Sequence, residues 1–299
     1  MEPIAPPFVN EALSTKHFQG LLLTVRVGYP GRDGAHSAAA CEQLYPGGAE
    51  LVALPSFSAV ADAAAEGSVE FGVLPIESSL SGPVTETHDL LDESPLAITG
   101  QTVLPIRHFL VGRSRVALEE IRVVRSHPAA LEQCRRFLAA MPWATAIAAA
   151  TTADAAAQVA ERDDPGEAAI ASERAARLYG LTMIARDVGD HPEAYTRFVA
   201  IATYMRLDRN GTSWRTAFSF VTDHSPGALH RAIEPFARHE IDLLQLVSRP
   251  IPRSPWRYRF DAVLEGHPLD AVVNAALVDL RAATRRLRVF GSYPSEAKP

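Results

Sequence analysis

Between residues 24 and 202, short apolar runs rich in β-branched residues alternate with segments whose apolar positions recur every three or four residues. The short runs fit strands and the longer period fits helices. Predicted strands accordingly cover 24–29, 50–54, 70–76, 98–104, 108–111, 122–125, 144–148, 168–171 and 197–202. Strands alternating with helices imply an α/β unit with a largely parallel sheet. Ser126 ahead of His127 and Pro128 predicts a capped helix running through Phe137, and Ser172 ahead of Glu173 predicts another.

A different grammar follows the polar stretch Asp208, Arg209, Asn210 and Gly211, where a linker is expected. A strand at 216–221 leads into Ser225, Pro226 and Gly227, which open a helix burying Leu229, Ile233 and Phe236. A second strand at 241–247 and a turn-rich loop at 250–255 precede Trp256, Tyr258, Phe260, Ala262 and Leu264, which alternate as in a half-buried strand. Leu269, Val272, Val273, Ala276, Leu277 and Leu280 make one helical face, and 288–293 closes as a strand. The β-α-β-β-α-β order is ferredoxin-like. The expected organisation is a flexible tail over 1–23, an α/β domain over 24–207 and a smaller domain over 212–294.

At 299 residues, 47% hydrophobic and 21% charged, the chain is long enough for two packed cores and is unlike disordered or disulfide-stapled sequences. Its formal charge of -6 speaks against nucleic acid or an anionic membrane as partner. No apolar stretch approaches the roughly 20 residues of a membrane span, and residues 1–20 lack the pattern of a secretory signal. Cys41 and Cys134 fall in no CxxC or zinc-type spacing, so free thiols and a cytoplasmic location are expected, with no metal.

Ligands of open parallel sheets sit beyond the carboxyl ends of the strands. There this chain places Ser37, Glu77, Ser78, Ser79, Ser126, His127, Thr151, Thr152 and Ser172. A hydroxyl beside the free N–H groups of a helix start suits a carboxylate, although each residue taken alone also serves as a simple cap. The turn Gly28, Pro30, Gly31, Gly34 fits neither GxGxxG nor a P-loop, and no GxSxG elbow occurs. Thr196, Arg197 and Phe198 put a hydroxyl and a guanidinium side by side at the edge of an apolar strand.

Several of these segments, in order, carry a family resemblance: 34–37, the run Leu74-Pro75-Ile76-Glu77-Ser78-Ser79-Leu80-Ser81-Gly82, 86–91, Ser126-His127-Pro128 with Cys134, 169–181, Thr196-Arg197-Phe198, Gly227-Ala228-Leu229, Ser248-Arg249-Pro250 and 291–294. Over roughly residues 24 to 294 the chain resembles prephenate dehydratases with a C-terminal ACT regulatory domain, plant arogenate dehydratases included. The resemblance implies two α/β lobes around a cleft, periplasmic-binding-protein-like in form, plus a ferredoxin-like βαββαβ ACT domain. It implies conversion of prephenate to phenylpyruvate, water and carbon dioxide without a cofactor, and a homodimer or homotetramer controlled by phenylalanine.

On that resemblance Thr196 assists the departing hydroxyl and Arg197 holds a carboxylate. Ser37, Ser78, Ser79, Ser126, His127, Ser172 and Phe198 contact the substrate. Glu77 stands either as a general acid or as a carboxylate bracing the structure. Gly227, Ala228, Leu229, Ser248, Arg249 and Pro250 are the implied effector contacts. Four departures from the family pattern are visible: Ser78 and Ala194 where Asn is usual, Asp242-Leu243-Leu244 where Asn-Leu-Thr is usual, and Val247 where Glu is usual. Arogenate dehydration, non-aromatising decarboxylation of prephenate and non-catalytic ligand sensing are the rival readings. Retention of Thr196 and Arg197 speaks against the second.

Overall fold

The computed structural model describes residues 24–205, 213–251, 254 and 256–295. The expected tail over 1–23 and the linker at 208–211 lie outside the described residues.

Three sheets organise the chain. The first lobe is built from β1 (Arg26–Pro30), β2 (Glu50–Leu54), β3 (Phe71–Ser78), the short β4 (Gly82–Pro83) and β5 (Ala97–Pro105), with helices α1 (His36–Leu44), α2 (Phe57–Glu66) and α3 (Thr85–Glu93). The chain then crosses into a second lobe of β6 (Phe109–Gly112), β7 (Val123–Ser126), β8 (Thr145–Ala148), β9 (Glu167–Ala171) and β10 (Thr182–Ala185). Its helices are α4 (Pro128–Gln133), α5 (Arg135–Ala139), α6 (Thr152–Arg162) and α7 (Glu173–Leu178). The chain returns as β11 (Tyr195–Ala202), which inserts between β3 and β5 in the order β2-β1-β3-β11-β5.

That return corrects the expectation of a largely parallel sheet. β11 runs antiparallel to both neighbours, and in the second lobe β6 is antiparallel to β9 and β10. A chain that leaves one lobe and comes back must enter its first sheet from the opposite end, so both sheets are mixed. β4 and β10, missing from the sequence reading, are a two-residue pairing and a four-residue run that periodicity does not separate from loop or helix. The two crossings lie side by side: the Ile106 N–H donates to Ala194 O (2.7 Å) and the Val188 N–H to His108 O (2.9 Å). Ala194 is buried at this crossing between the lobes.

Local chemistry fixes the helix ends that face the other lobe. The Ser56 hydroxyl accepts from the Ala59 N–H at the start of α2, and Gly67, at φ 77°, ends it. Thr151 caps α6 by accepting from the Asp154 N–H. Ser172 caps α7, as its sequence suggests. Ser126 does not cap α4. It ends β7, fully buried, and its hydroxyl donates to Ile170 O on β9 at 2.6 Å, while the cap is His127, whose ring nitrogen accepts from the Ala129 N–H.

The third sheet, β13-β14-β12-β15, comprises β12 (Trp214–Val221), β13 (Leu243–Pro250), β14 (Tyr258–Glu265) and β15 (Arg286–Pro294), with α8 (Ala228–Arg238) and α9 (Ala271–Ala282). This is the ferredoxin-like order. Phe218, Phe220, Ala262 and Leu264 pack under the two helices, while Ala217, Phe290 and Tyr293 join the core of the first lobe. Carboxylates on α3 meet arginines from this sheet: Arg249 reaches Asp89 at 2.8 Å, and Arg259 reaches Asp89 and Asp92, each at 3.0 Å. Burial alone would raise the Asp261 carboxyl, yet hydrogen bonds from His88 and Arg259 hold it below the usual range.

Candidate active site

Consecutive side chains of a strand point to opposite faces of its sheet. On β11 this separates Thr196 and Phe198 from Arg197. Phe198 joins the α1 side of the first lobe with Val27, Tyr29 and Val73, whereas Val199 and Ile201 join the opposite side with α2, α3 and the C-terminal unit. Thr196 registers with Ser78 on β3, and Arg197 with Glu77. One residue farther, β3 bulges at Ile76 between Glu77 and Pro75, which leaves Ser78 and Pro75 together on the α1 side.

That side opens onto a cleft of about 810 Å³ between the lobes. Thr196, Ser78, Phe198, Ser37 and His127 all line it. The amino ends of α1, α2 and α6 contribute Ala35 to Ser37, Ser56 with Phe57, and Thr151, Thr152 and Asp154. Converging helix starts present unpaired N–H groups and partial positive charge, the arrangement that favours an anion.

Formal positive charge is scarce there. Arg32 is the one guanidinium among the described lining residues, and its Nε lies 2.9 Å from Asp154 Oδ1 on the other lobe. The three histidines of the cleft are held neutral near pH 7. Burial, aided by the facing His108 ring, pushes His36 down to about 4; burial also lowers His108, against its hydrogen bond with Gln133, and lowers His127. His127 Nδ1 accepts the Ala129 N–H at 3.2 Å, so a proton on the neutral ring sits on Nε2. Glu86, in the first turn of α3, brings an exposed carboxylate to the rim.

Several expected substrate contacts lie elsewhere. Arg197 and Glu77 pair with each other on the far face of the sheet at 2.5 Å, and Glu77 also accepts from Gln245 of the C-terminal unit at 3.1 Å. Strand alternation put them there, which removes Arg197 as a carboxylate ligand and Glu77 as a general acid. The bracing alternative for Glu77 fits its contacts. The Ser79 hydroxyl accepts the Tyr195 N–H at 2.9 Å, outside the cleft, and locks the end of β3 to β11. Ser126 is spent on the β7–β9 contact. Ser172 caps α7 and donates to Gly34 O at 3.1 Å, tying the lobes together behind the cleft wall.

A second cavity, about 420 Å³, lies in the C-terminal unit against Ser225, Pro226, Ala228, Leu229, Tyr258 and Phe260. Gly227 starts α8 at φ 75°. Ser248, Arg249 and Pro250 do not line this cavity: Arg249 turns inward to Asp89, and by alternation Ser248 and Pro250 occupy the exposed face of the edge strand β13. Arg32, His36, Glu86 and the His108–Gln133 pair went unrecognised as site residues. The first two sit inside the glycine-containing turn, which was the available signal, whereas His108 and Gln133 meet only through the fold.

Two mixed α/β lobes around a cleft lined by helix starts, with a ferredoxin-like unit docked behind one lobe, define a two-lobed α/β protein with an appended small domain. Residues 27–206 match the family model described as prephenate dehydratase, and the chain belongs to that family. It is 36% identical over 279 residues to "Arogenate dehydratase/prephenate dehydratase 2, chloroplastic" of Arabidopsis thaliana, covering 90% of this chain and 73% of the relative. A prephenate dehydratase from Arthrobacter aurescens, solved in complex with L-Phe, is 31% identical with a TM-score of 0.81, covering 92% of this chain and 94% of the other. A protein described as a novel type of quorum-quenching acylase, GqqA, is equally alike in fold, at TM-score 0.81 and 29% identity over 91% of this chain and 98% of its own.

Proposed function

We propose that the protein is a lyase that converts prephenate to phenylpyruvate, water and carbon dioxide in the cleft between the lobes. The observation that carries this reading is the Thr196–Ser78 hydroxyl pair facing a cleft into which three helix starts converge. Prephenate has two carboxylates and a ring hydroxyl. When the bond from the ring to its carboxylate breaks, the electron pair enters the ring, the ring C–O bond breaks, and the departing hydroxide takes up a proton supplied from solvent to leave as water. Thr196 donates a hydrogen bond to that oxygen as charge builds on it, with Ser78 beside it. The helix starts and Arg32 hold the carboxylates, so orientation supplies much of the acceleration. No step calls for a cofactor or a metal.

Arogenate is the second reading, favoured by one feature. Its side-chain ammonium would meet Glu86 at the rim. We assign the ferredoxin-like unit as an ACT regulatory domain whose 420 Å³ cavity takes phenylalanine, and the working enzyme as a cytoplasmic homodimer or homotetramer.

Product analysis with prephenate and arogenate in parallel tests the reaction. Phenylpyruvate from prephenate supports it, phenylalanine from arogenate supports the second reading, and a hydroxylated dihydro product or no turnover ends both. Thr196→Val should lower kcat by roughly 10²- to 10³-fold with KM little changed, the cost of losing one hydrogen-bond donor to a developing oxyanion. A variant within a factor of two of the parent would remove Thr196 from the mechanism.

A further inference from the structure

We infer that Gln245, on the C-terminal unit, is a positioning residue for the cleft, acting through Glu77 and Arg197 on the strand pair that presents Ser78 and Thr196. The inference rests on the proposed reaction for its kinetic meaning, but its structural half stands apart from it.

Both oxygens of the Glu77 carboxylate are occupied, and by different parts of the molecule: Oε2 takes Arg197 Nη1 at 2.5 Å from the neighbouring strand, and Oε1 takes Gln245 Nε2 at 3.1 Å from β13. The clamp is one residue from the cleft on each strand, because Glu77 registers with Arg197 as Ser78 does with Thr196. A strand segment moves as a unit, so a displacement at 77 and 197 on one face becomes a displacement at 78 and 196 on the other. Backbone pairing holds Glu77 and Ser78 to Arg197 and Thr196 on one side and to Pro83 and Gly82 on the other, but the ladder to β11 is interrupted by the bulge at Ile76 immediately before them. Side-chain ties add to the backbone ladder at this end of β3: Glu77 to Gln245 behind, and the Ser79 hydroxyl to the Tyr195 N–H beyond.

Gln245 is suited to the role by its place on β13. It shares the inward face of that strand with Arg249, which is anchored to Asp89 on α3, while Leu244, Leu246, Ser248 and Pro250 make the outward face. An edge strand held at two inward points and open on its other face transmits any repacking of the C-terminal unit to Glu77. A neutral amide makes this tie without adding charge to the Arg197–Glu77 pair.

The experiment compares Gln245→Leu, Gln245→Lys and Arg286→Gln, the last breaking a different contact of the same docking surface, that of Arg286 with Asp92 at 3.0 Å. Gln245→Leu should lower kcat about three- to tenfold at nearly constant KM, and Gln245→Lys, which keeps a donor to Glu77, should restore most of it. Arg286→Gln should keep the parent kcat. In parallel, backbone hydrogen exchange over 76–82 and 194–198 should speed up in Gln245→Leu alone. Parent-like kcat and exchange in Gln245→Leu would overturn the inference, as would equal effects in Arg286→Gln. A parent enzyme that turns over neither substrate would defeat the proposed reaction, and the exchange comparison would then decide the positioning role on its own.

Discussion

Thr196 and Arg197 are neighbours in the chain that serve opposite sides of a sheet. The triplet reads as one motif, but only its first and third residues reach the cleft, since successive side chains of a strand point to opposite faces of the sheet. The guanidinium that lines the cleft is instead that of Arg32 in the turn after β1, paired with Asp154 across the lobes, and in the proposed reaction it holds a carboxylate. A charge-assisted, bidentate-capable partner for a carboxylate contributes to binding in ground state and transition state alike. Arg32→Gln should therefore raise KM about ten- to a hundredfold while kcat stays within a few-fold of the parent, read from steady-state kinetics. A large fall in kcat at unchanged KM would mean that Arg32 serves the chemical step and not the grip. The buried thiols play no such part: burial pushes Cys41 and Cys134 up to about 12, which leaves them protonated and inert.

At the scale of elements, most strands were legible because their runs are apolar, β-branched and bounded by turn residues; 50–54 coincides with β2, and the βαββαβ order of the last third matches the third sheet. Direction and docking were not legible. One docking contact depends on a single glycine: Gly291 lies at φ 145°, and a Cβ there would meet Ile98 O of β5 at 2.2 Å. Any side chain would force β15 off β5 and also strain the backbone. Gly291→Ala should cost about 3 kcal/mol or more, seen as a lower denaturant midpoint, with loss of the shared core around Ala217, Phe290 and Tyr293. An unchanged midpoint would show that the two units pack less closely than this.

Seen whole, the molecule is latched at two levels. The lobes are joined by the paired crossings, by Ser172 to Gly34, by the Tyr179 hydroxyl donating to Asp33 O at 2.8 Å, by Arg32 to Asp154 and by Arg174 to Glu42. The C-terminal unit is joined to the first lobe through α3 and Glu77, on the face away from the cleft. Among the described residues, that packed interface links the unit holding the smaller cavity to the cleft. L-phenylalanine should accordingly raise the melting temperature by several degrees at about 100 times its Kd, equivalent to about 2.7 kcal/mol for one site, while aspartate should not. Absence of a shift at millimolar phenylalanine would remove the effector assignment.

The sequence by itself determined most of the elements and the family, because periodicity, caps and motif order are local properties of the chain. Of the hydroxyls it singled out, Ser37, Ser78, Thr151, Thr152 and Thr196 line the cleft, while Ser79, Ser126 and Ser172 do not. Tertiary structure decided which of them face one another. Whether residue 197 or its neighbour meets a ligand depends on strand direction, on a bulge in the adjacent strand and on which face the C-terminal unit covers, and these are set by contacts between residues as far apart as Glu77 and Gln245.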